Sequence, residues 1–307
     1  MEKAQKVLDA LNAYKNKMIE ASQLRRAINQ RFNSELRTLR DEKDRVEKVE
    51  GEELPRSMNN MFYYSLRTGN ATAYGAKNLF LDDQISAAHL HRNRHYQWVL
   101  AEAYEGFEDF LESIYAAVGF ADPDFWLPSE FKPAWNVDPA TQNYEWHVEQ
   151  VKNKKNKPRS ILTSFRNAFK ELRDIEVNNK CAVHAPFEIS LISKLRHLIV
   201  HNAGRVESKD EVIHRALTEA AVNDKDKEAL TARAGMFFNR LKDGKEEIVF
   251  LVGHEIPHFG LMSIYNLEDL LGFLVSYGQE LTEICMKKLY EKGLINSSVG
   301  DLLEDRG

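Results

Sequence analysis

The first 50 residues contain neither glycine nor proline. Leu11, Tyr14, Met18, Ala21, Leu24, Ile28, Phe32, Leu36 and Leu39 recur with a period of about 3.5 residues. That combination predicts one long helix, or two in line, with a narrow apolar stripe and strongly charged remaining faces. Such a helix cannot bury its stripe alone, so it needs a partner helix within the fold or from a second subunit. Gly51 and Pro55 end it, and the aromatic, glycine-containing stretch from Met58 to Gly75 reads as irregular.

The rest of the chain continues the helical pattern. A second long helix is expected from about Asp83 to Val118, with Val99, Leu100, Ala103, Phe107, Phe110, Leu111 and Ile114 as its buried face. Between Gly119 and Arg159, prolines interleave with Phe125, Trp126, Phe131 and Trp135. That composition reads as a packed cap rather than a flexible linker, because tryptophans gain most from burial. Ser160 is placed to cap a third helix. A fourth starts near Pro186, which suits a first turn, and stops around Gly204. EEIVFLVG and FGLMSIY, on either side of Pro257, read as a short β-hairpin before Asn266 caps a final helix. The expected organisation is a long N-terminal helix and irregular aromatic segment (1–82), a helical bundle (83–293) with a Pro/aromatic insertion (119–159) and a β-hairpin (246–264), and a polar tail (294–307). The fold class is therefore mainly α.

Composition narrows the function. With 307 residues, 43% hydrophobic content and a net charge of −5, the chain suits a globular protein and not a non-specific coat for nucleic acid. No apolar run approaches the roughly 18 residues of a membrane span. The N-terminus MEKAQKVLDALNAYKNK is charged where a signal peptide would be apolar, so the expected location is the cytoplasm, with no membrane partner. Cys181 and Cys285, in helix-forming surroundings and outside any CxxC pattern, read as buried, inert thiols.

One short stretch carries chemistry. Arg196-His197-Leu198-Ile199-Val200-His201, followed by Asn202-Ala203-Gly204, sets a permanent cation and two imidazoles near the end of the fourth helix. Cleavage of RNA by its own 2′-hydroxyl needs a proton acceptor, a proton donor for the leaving 5′-oxygen, and positive charge at phosphorus. Arg and His supply all three without metal. An Arg-x4-His spacing is short enough to arise by chance, so its weight depends on the surrounding fold.

An α-helical bundle in which RHLIVHNAG closes one helix, preceded by a long helix containing AYEGFEDFLESIY, resembles the HEPN superfamily of helical-bundle ribonucleases and toxins. The family signature is an Arg, usually followed by a polar residue, and a His four to six residues beyond the Arg. The resemblance spans about residues 84–290. It implies a dimeric, metal-independent endoribonuclease without cofactors, whose motif helices face each other across a cleft. Its products would carry a 2′,3′-cyclic phosphate and a 5′-hydroxyl. It further implies action in toxin–antitoxin systems or antiviral defence, under an antitoxin or other regulatory protein. Some relatives bind without cleaving, which leaves a non-catalytic RNA- or nucleotide-binding or protein-interaction module as the alternative.

The site residues follow. His201 is the proton-transfer group, since an imidazole titrates near neutrality. Arg196 clamps the phosphate through its planar fork of donors, and His197 assists. Asn202, Arg92 and Arg94 are candidate substrate contacts, the two arginines as a basic helix end for a phosphate backbone. Glu108 would support Arg196 if the helices pack as in the family, and otherwise reads as a solvated carboxylate. Five residues of α-helix turn through about 140°, so Arg196 and His201 diverge on one ideal helix. A dimer cleft or a distorted last turn would reunite them.

Three further patterns carry less. His254-Glu255-Ile256-Pro257-His258 spells HExxH, yet Pro257 opposes the helix that a zinc site of that type requires. His91 and His95, like His197 and His201, form an i, i+4 pair with no evident third ligand. The basic run KNKKNKPR reads as a solvated loop or as a steering patch for an anionic strand, with Tyr144 and Trp146 as stacking surfaces.

Overall fold

The structure, a computed structural model, describes residues 2–49, 57–126, 137–154, 156–240, 246–255, 263–264 and 266–296. It is mainly helical. Chain order is α1 (Glu2–Val49), β1 (Ser57–Tyr64), β2 (Ala71–Leu79), α2 (Leu81–Ala121), α3 (Tyr144–Lys152), α4 (Arg159–Ala168), α5 (Lys170–Val177), α6 (Ala185–Asn202), β3 (Arg205–Val206), α7 (Lys209–Glu219), α8 (Asp224–Gly235), β4 (Phe238–Arg240), β5 (Glu247–Val249), β6 (His254–Glu255), β7 (Ser263–Ile264) and α9 (Asn266–Glu291). Two compact units divide these elements: residues 23–96 form one, and residues 1–22 with 97–307 form the other.

In the larger unit, the first turns of α1 pack into an aromatic core. The Tyr14 ring stacks on Phe110 with centroids 4.7 Å apart, and Phe107 meets the edge of Tyr277 at 5.9 Å. Gly278 of α9 is what lets Tyr14 in, because a Cβ there would stand 2.7 Å from its ring. Burial of Tyr14, Phe107 and Phe110, each under 3% exposed, is worth about 1.5–3 kcal/mol per side chain.

A cap built on Trp126 closes the far end of α2. Its indole stacks on Tyr115 at 5.4 Å, and Nε1 donates to the Tyr115 carbonyl at 3.1 Å. Gly119 is required beneath it, since a Cβ would lie 2.3 Å from the indole. Phe131 and Trp135 lie outside the described residues. The chain breaks between α4 and α5 at Phe169, whose backbone is extended. Ser160 lies inside α4 rather than capping it, with Pro158 at the cap position. Across the break, Arg166 grips Glu176 with Nε at 2.9 and 2.8 Å and Nη2 at 2.8 Å, while the Tyr277 hydroxyl donates to Glu176 Oε1 at 2.7 Å. This network carries a charge pair and a phenol inside the bundle with its hydrogen bonds made.

EEIVF does not form one hairpin with FGLMSIY. Its strand β5 lies between β3 and β4 in a three-stranded antiparallel sheet, and among the described residues of FGLMSIY, Ser263 and Ile264 of β7 pair with β6. Asn266 holds the start of α9 with its Nδ2 donating to Met236 and Phe250 carbonyls at 2.9 and 3.0 Å.

In the smaller unit, the α1 stripe is inward at Ile28, Phe32 and Leu36, whereas Leu24 is 46% exposed. The segment read as irregular is a hairpin. β1 and β2 pair antiparallel with a bulge opposite Met61/Phe62 that leaves Tyr74 as the extra residue, and Gly69 turns the chain at φ +73°. Among the described residues, no helix is long and apolar enough to cross a membrane.

Candidate functional site at the end of the motif helix

His184 caps the start of α6 by accepting from the Phe187 amide, and a proline sits in its first turn. Leu191, Ile192 and Leu195 are fully buried, so they fix which face of the helix turns outward. The helix stays regular through Asn202. Ala203 then enters the left-handed region at φ 52°, Gly204 follows at 75°, and the Gly204 amide bonds back to the Leu198 carbonyl at 2.9 Å. This is a Schellman-type stop that satisfies an otherwise orphaned carbonyl.

The stop is anchored from two directions. Val249 donates to the Gly204 carbonyl at 2.8 Å, which leads the chain directly into β3. Gln97, buried on α2, lies over Gly204 and donates to the Val249 carbonyl at 2.7 Å. Glycine is needed at 204 both for its backbone angle and because a Cβ would stand 2.5 Å from the Gln97 amide. His201 therefore sits on a helix end held by buried contacts, which restricts where its ring can go.

His197 and His201 meet on one exposed face, with ring centroids 4.6 Å apart and planes at 47°. Arg196 turns towards α2. Its side chain is 27% exposed, Nη2 reaches Glu105 Oε1 at 3.4 Å, and its Nε is buried without a hydrogen-bond partner. Because α6 is regular past His201, the distortion begins too late to bring Arg196 and His201 onto one face. The structure pairs the two imidazoles with each other and the arginine with the Glu105 carboxylate.

Glu105, not Glu108, makes the contact with Arg196. Glu108 is half-buried, and burial, with the carboxylates of Glu105, Glu112 and Asp109 adding, raises its carboxyl above the usual range against the pull of Arg196. Beside them, burial pushes the Tyr104 phenol up to about 12. Glu105 and Glu108 are three residues apart on α2, so one helical face presents both to Arg196. Glu105 is 67% exposed, and a long contact to so open a partner contributes about 0–1 kcal/mol. A phosphate, with a full charge and oxygens matched to the guanidinium fork, can displace it.

The other expected site residues are distributed more widely. Asn202 is exposed at the end of α6. Arg92 and Arg94 belong to the smaller unit, where Arg92 Nη1 donates to Asn33 at 3.0 Å and Arg94 is exposed. His95 there donates through Nδ1–H to the His91 carbonyl, 2.8 Å away. In the described part of the basic run, Lys152 pairs with Glu149 on its own helix at 2.6 Å, Lys157 with Glu112 at 2.8 Å, and Lys154 is buried over the Tyr115 ring at 4.9 Å. Of HExxH, His254 and Glu255 lie on β6, and residues 256–258 lie outside the described residues. Cys285 is buried, and burial pushes its thiol up, but Cys181 is exposed, because it follows α5 in a turn instead of continuing a helix.

No family model matches the chain, no curated protein matches it, and no solved structure matches its fold. The functional reading therefore rests on these side chains and their geometry.

Proposed function

We propose that the protein is a HEPN-type, metal-independent endoribonuclease acting at the His197–His201 face. The observation that carries the reading is the pair of exposed imidazoles, 4.6 Å apart, on a rigidly stopped helix beside a guanidinium whose hydrogen bonds are incompletely satisfied. In this mechanism His201 takes the 2′-hydroxyl proton as the 2′-oxygen bonds to phosphorus and the bond to the 5′-oxygen breaks. A protonated imidazole returns a proton to the departing 5′-oxygen, and His197 assists as a donor. The products are a 2′,3′-cyclic phosphate and a 5′-hydroxyl. Arg196 releases Glu105 to hold the phosphate oxygens as charge builds on them.

Divergence of Arg196 and His201 on a regular helix favours a composite site, in which α6 of a second copy supplies the missing group across a two-fold axis. A toxin or antiviral-defence effector of this kind requires a silencing partner, an antitoxin or other regulator, and a cytoplasmic location would give it RNA. A second reading is a non-catalytic module that holds RNA or a nucleotide at the same face, with Arg196 exchanging its long contact to Glu105 for a phosphate.

Cleavage of total RNA in EDTA by wild type beside His201→Ala and Arg196→Ala tests the proposal. Loss of cleavage in both variants is expected, by at least about 100-fold for the proton-transfer group. Cleavage that survives both variants overturns it, and binding with no change in RNA length selects the module.

A further inference from the structure

The β1–β2 hairpin of the smaller unit is bare on both faces. From Asn60 to Ala76 every residue except Ser65 and Gly75 is exposed, Tyr64 at 77% and Tyr74 at 66% among them. Phe62 and Tyr64 alternate to one side of β1. Directly opposite them in β2 stand Ala73 and Ala71, whose side chains are too small to cover a ring. Tyr63 points to the other side, where Tyr74 tilts against it with centroids 6.4 Å apart, and each is still at least half exposed. Rings left in water on both sides of a two-stranded ribbon are costly apolar surface, and such a patch marks a place where something binds.

The charge of the ribbon indicates what. Residues 54–81 are the longest stretch of the chain without Asp or Glu, in a protein that has 47 of them and a net charge of −5. That stretch carries Arg56, Arg67 and Lys77, and Arg67 is exposed at the turn of the hairpin. Asn60, Asn70 and Thr72, all exposed, add amide and hydroxyl groups along the strands. Open rings and positive charge without a carboxylate fit an unpaired nucleic-acid strand, whose bases stack on aromatic faces and whose phosphates a carboxylate would repel. Ribbon-to-ribbon pairing with a second copy would instead set like charges together, and a duplex keeps the faces of its bases hidden.

We propose that the β1–β2 hairpin binds single-stranded RNA, with bases stacked on Phe62, Tyr64 and the Tyr63–Tyr74 pair and the phosphate backbone at Arg67. The choice of RNA rests on the ribonuclease reading, whereas the stacking does not depend on cleavage.

Fluorescence anisotropy of the full chain with a labelled, unstructured 2′-O-methyl RNA strand about 12 nucleotides long tests this. The methyl group removes the hydroxyl that cleavage needs. The single strand binds, the same sequence as a duplex binds at least about tenfold more weakly, and added NaCl weakens binding. Tyr64→Leu and Phe62→Leu, which keep apolar surface but remove the ring, each weaken binding by about tenfold. Tyr64→Phe keeps the ring and retains binding, and Arg67→Gln reduces the dependence on salt. Both leucine variants alter exposed side chains, so their melting temperatures match wild type. Absence of binding by the single strand, equal binding of the duplex, or leucine variants that bind as wild type overturns the proposal. Sedimentation in which the leucine variants dissociate a dimer overturns it too, by assigning the ribbon to a second copy. Because the probe cannot be cut, a protein that binds it without cleaving RNA refutes only the ribonuclease proposal. RNA cleavage alongside leucine variants that bind as wild type refutes only this one.

Discussion

Gly204→Ala probes the stop of the motif helix. The new methyl would lie 2.5 Å from Gln97 Nε2, 2.7 Å from Oε1 and 2.8 Å from Cδ, and the backbone would have to hold an alanine at φ +75°. The left-handed conformation costs about 1 kcal/mol for alanine. Ala203 already adopts it one residue earlier, so the fold tolerates that part. The larger part comes from Gln97, which is 3% exposed and must swing away from the Val249 carbonyl it serves at 2.7 Å. Stranding a buried amide and carbonyl costs about 1–3 kcal/mol, which gives a total of about 2–4 kcal/mol. Urea unfolding of the four proteins in the Gly204→Ala and Gln97→Ala cycle separates the two parts. In the Gln97→Ala background, where the obstacle is gone, Gly204→Ala should cost only the backbone share of about 1 kcal/mol. A cost below about 0.5 kcal/mol in the native background, or the same cost in both backgrounds, refutes the reasoning.

Other substitutions test other contacts. Gly119→Ala drives a methyl into the Trp126 indole, itself 3% exposed, and should destabilise by about 1–3 kcal/mol with a shift in tryptophan fluorescence; unchanged emission and melting would dismiss the cap. Glu176→Ala leaves Arg166 without its carboxylate and Tyr277 without its acceptor, for an expected loss of about 3–5 kcal/mol by denaturant titration; a loss under about 1 kcal/mol would mean that water replaces the network. Glu108→Gln has a pH signature. Since the folded state raises the Glu108 carboxyl, chiefly by burial, its contribution is fully present below its unfolded pKa and is lost as pH rises through the folded value. The glutamine variant should therefore melt above wild type at pH 7, with the difference fading towards pH 4. A variant that melts lower at pH 7 would show that attraction to Arg196 outweighs burial.

The sequence speaks most clearly where one face of a helix meets the core. The α1 stripe, the apolar face of α2 and the Ile189, Ile192, Leu195 and Ile199 face of α6 were legible because burial on one side imposes a helical rhythm of about 3.6 residues. The β1–β2 hairpin was not, for Phe62, Tyr63, Tyr64 and Tyr74 are all at least half exposed, and strands without a buried face lose the alternation that marks them. EEIVF was legible as a strand but not as a partner of β3 and β4, because pairing depends on where α6 stops. At the site, His197 with His201 follows from i, i+4 spacing, and the Ala203–Gly204 stop from the glycine. That Glu105 and not Glu108 reaches Arg196 depends on the rotation of α2 against α6, which no local pattern specifies. Likewise, Lys152, Lys154 and Lys157 of KNKKNKPR read as free charge until Glu149, the Tyr115 ring and Glu112 are brought beside them.

The proposed cleavage of RNA by the strand's own 2′-hydroxyl, with imidazole and guanidinium groups alone, has a distinctive end-group signature. End-group analysis of a single-stranded RNA oligonucleotide, incubated in EDTA and compared with the same strand carrying 2′-deoxy sugars, measures that directly. Fragments with 2′,3′-cyclic phosphate and 5′-hydroxyl ends are expected, none from the deoxy strand, and none from either strand with His201→Ala. Intact RNA, fragments ending in 3′-hydroxyl and 5′-phosphate, or cleavage of the deoxy strand would contradict it.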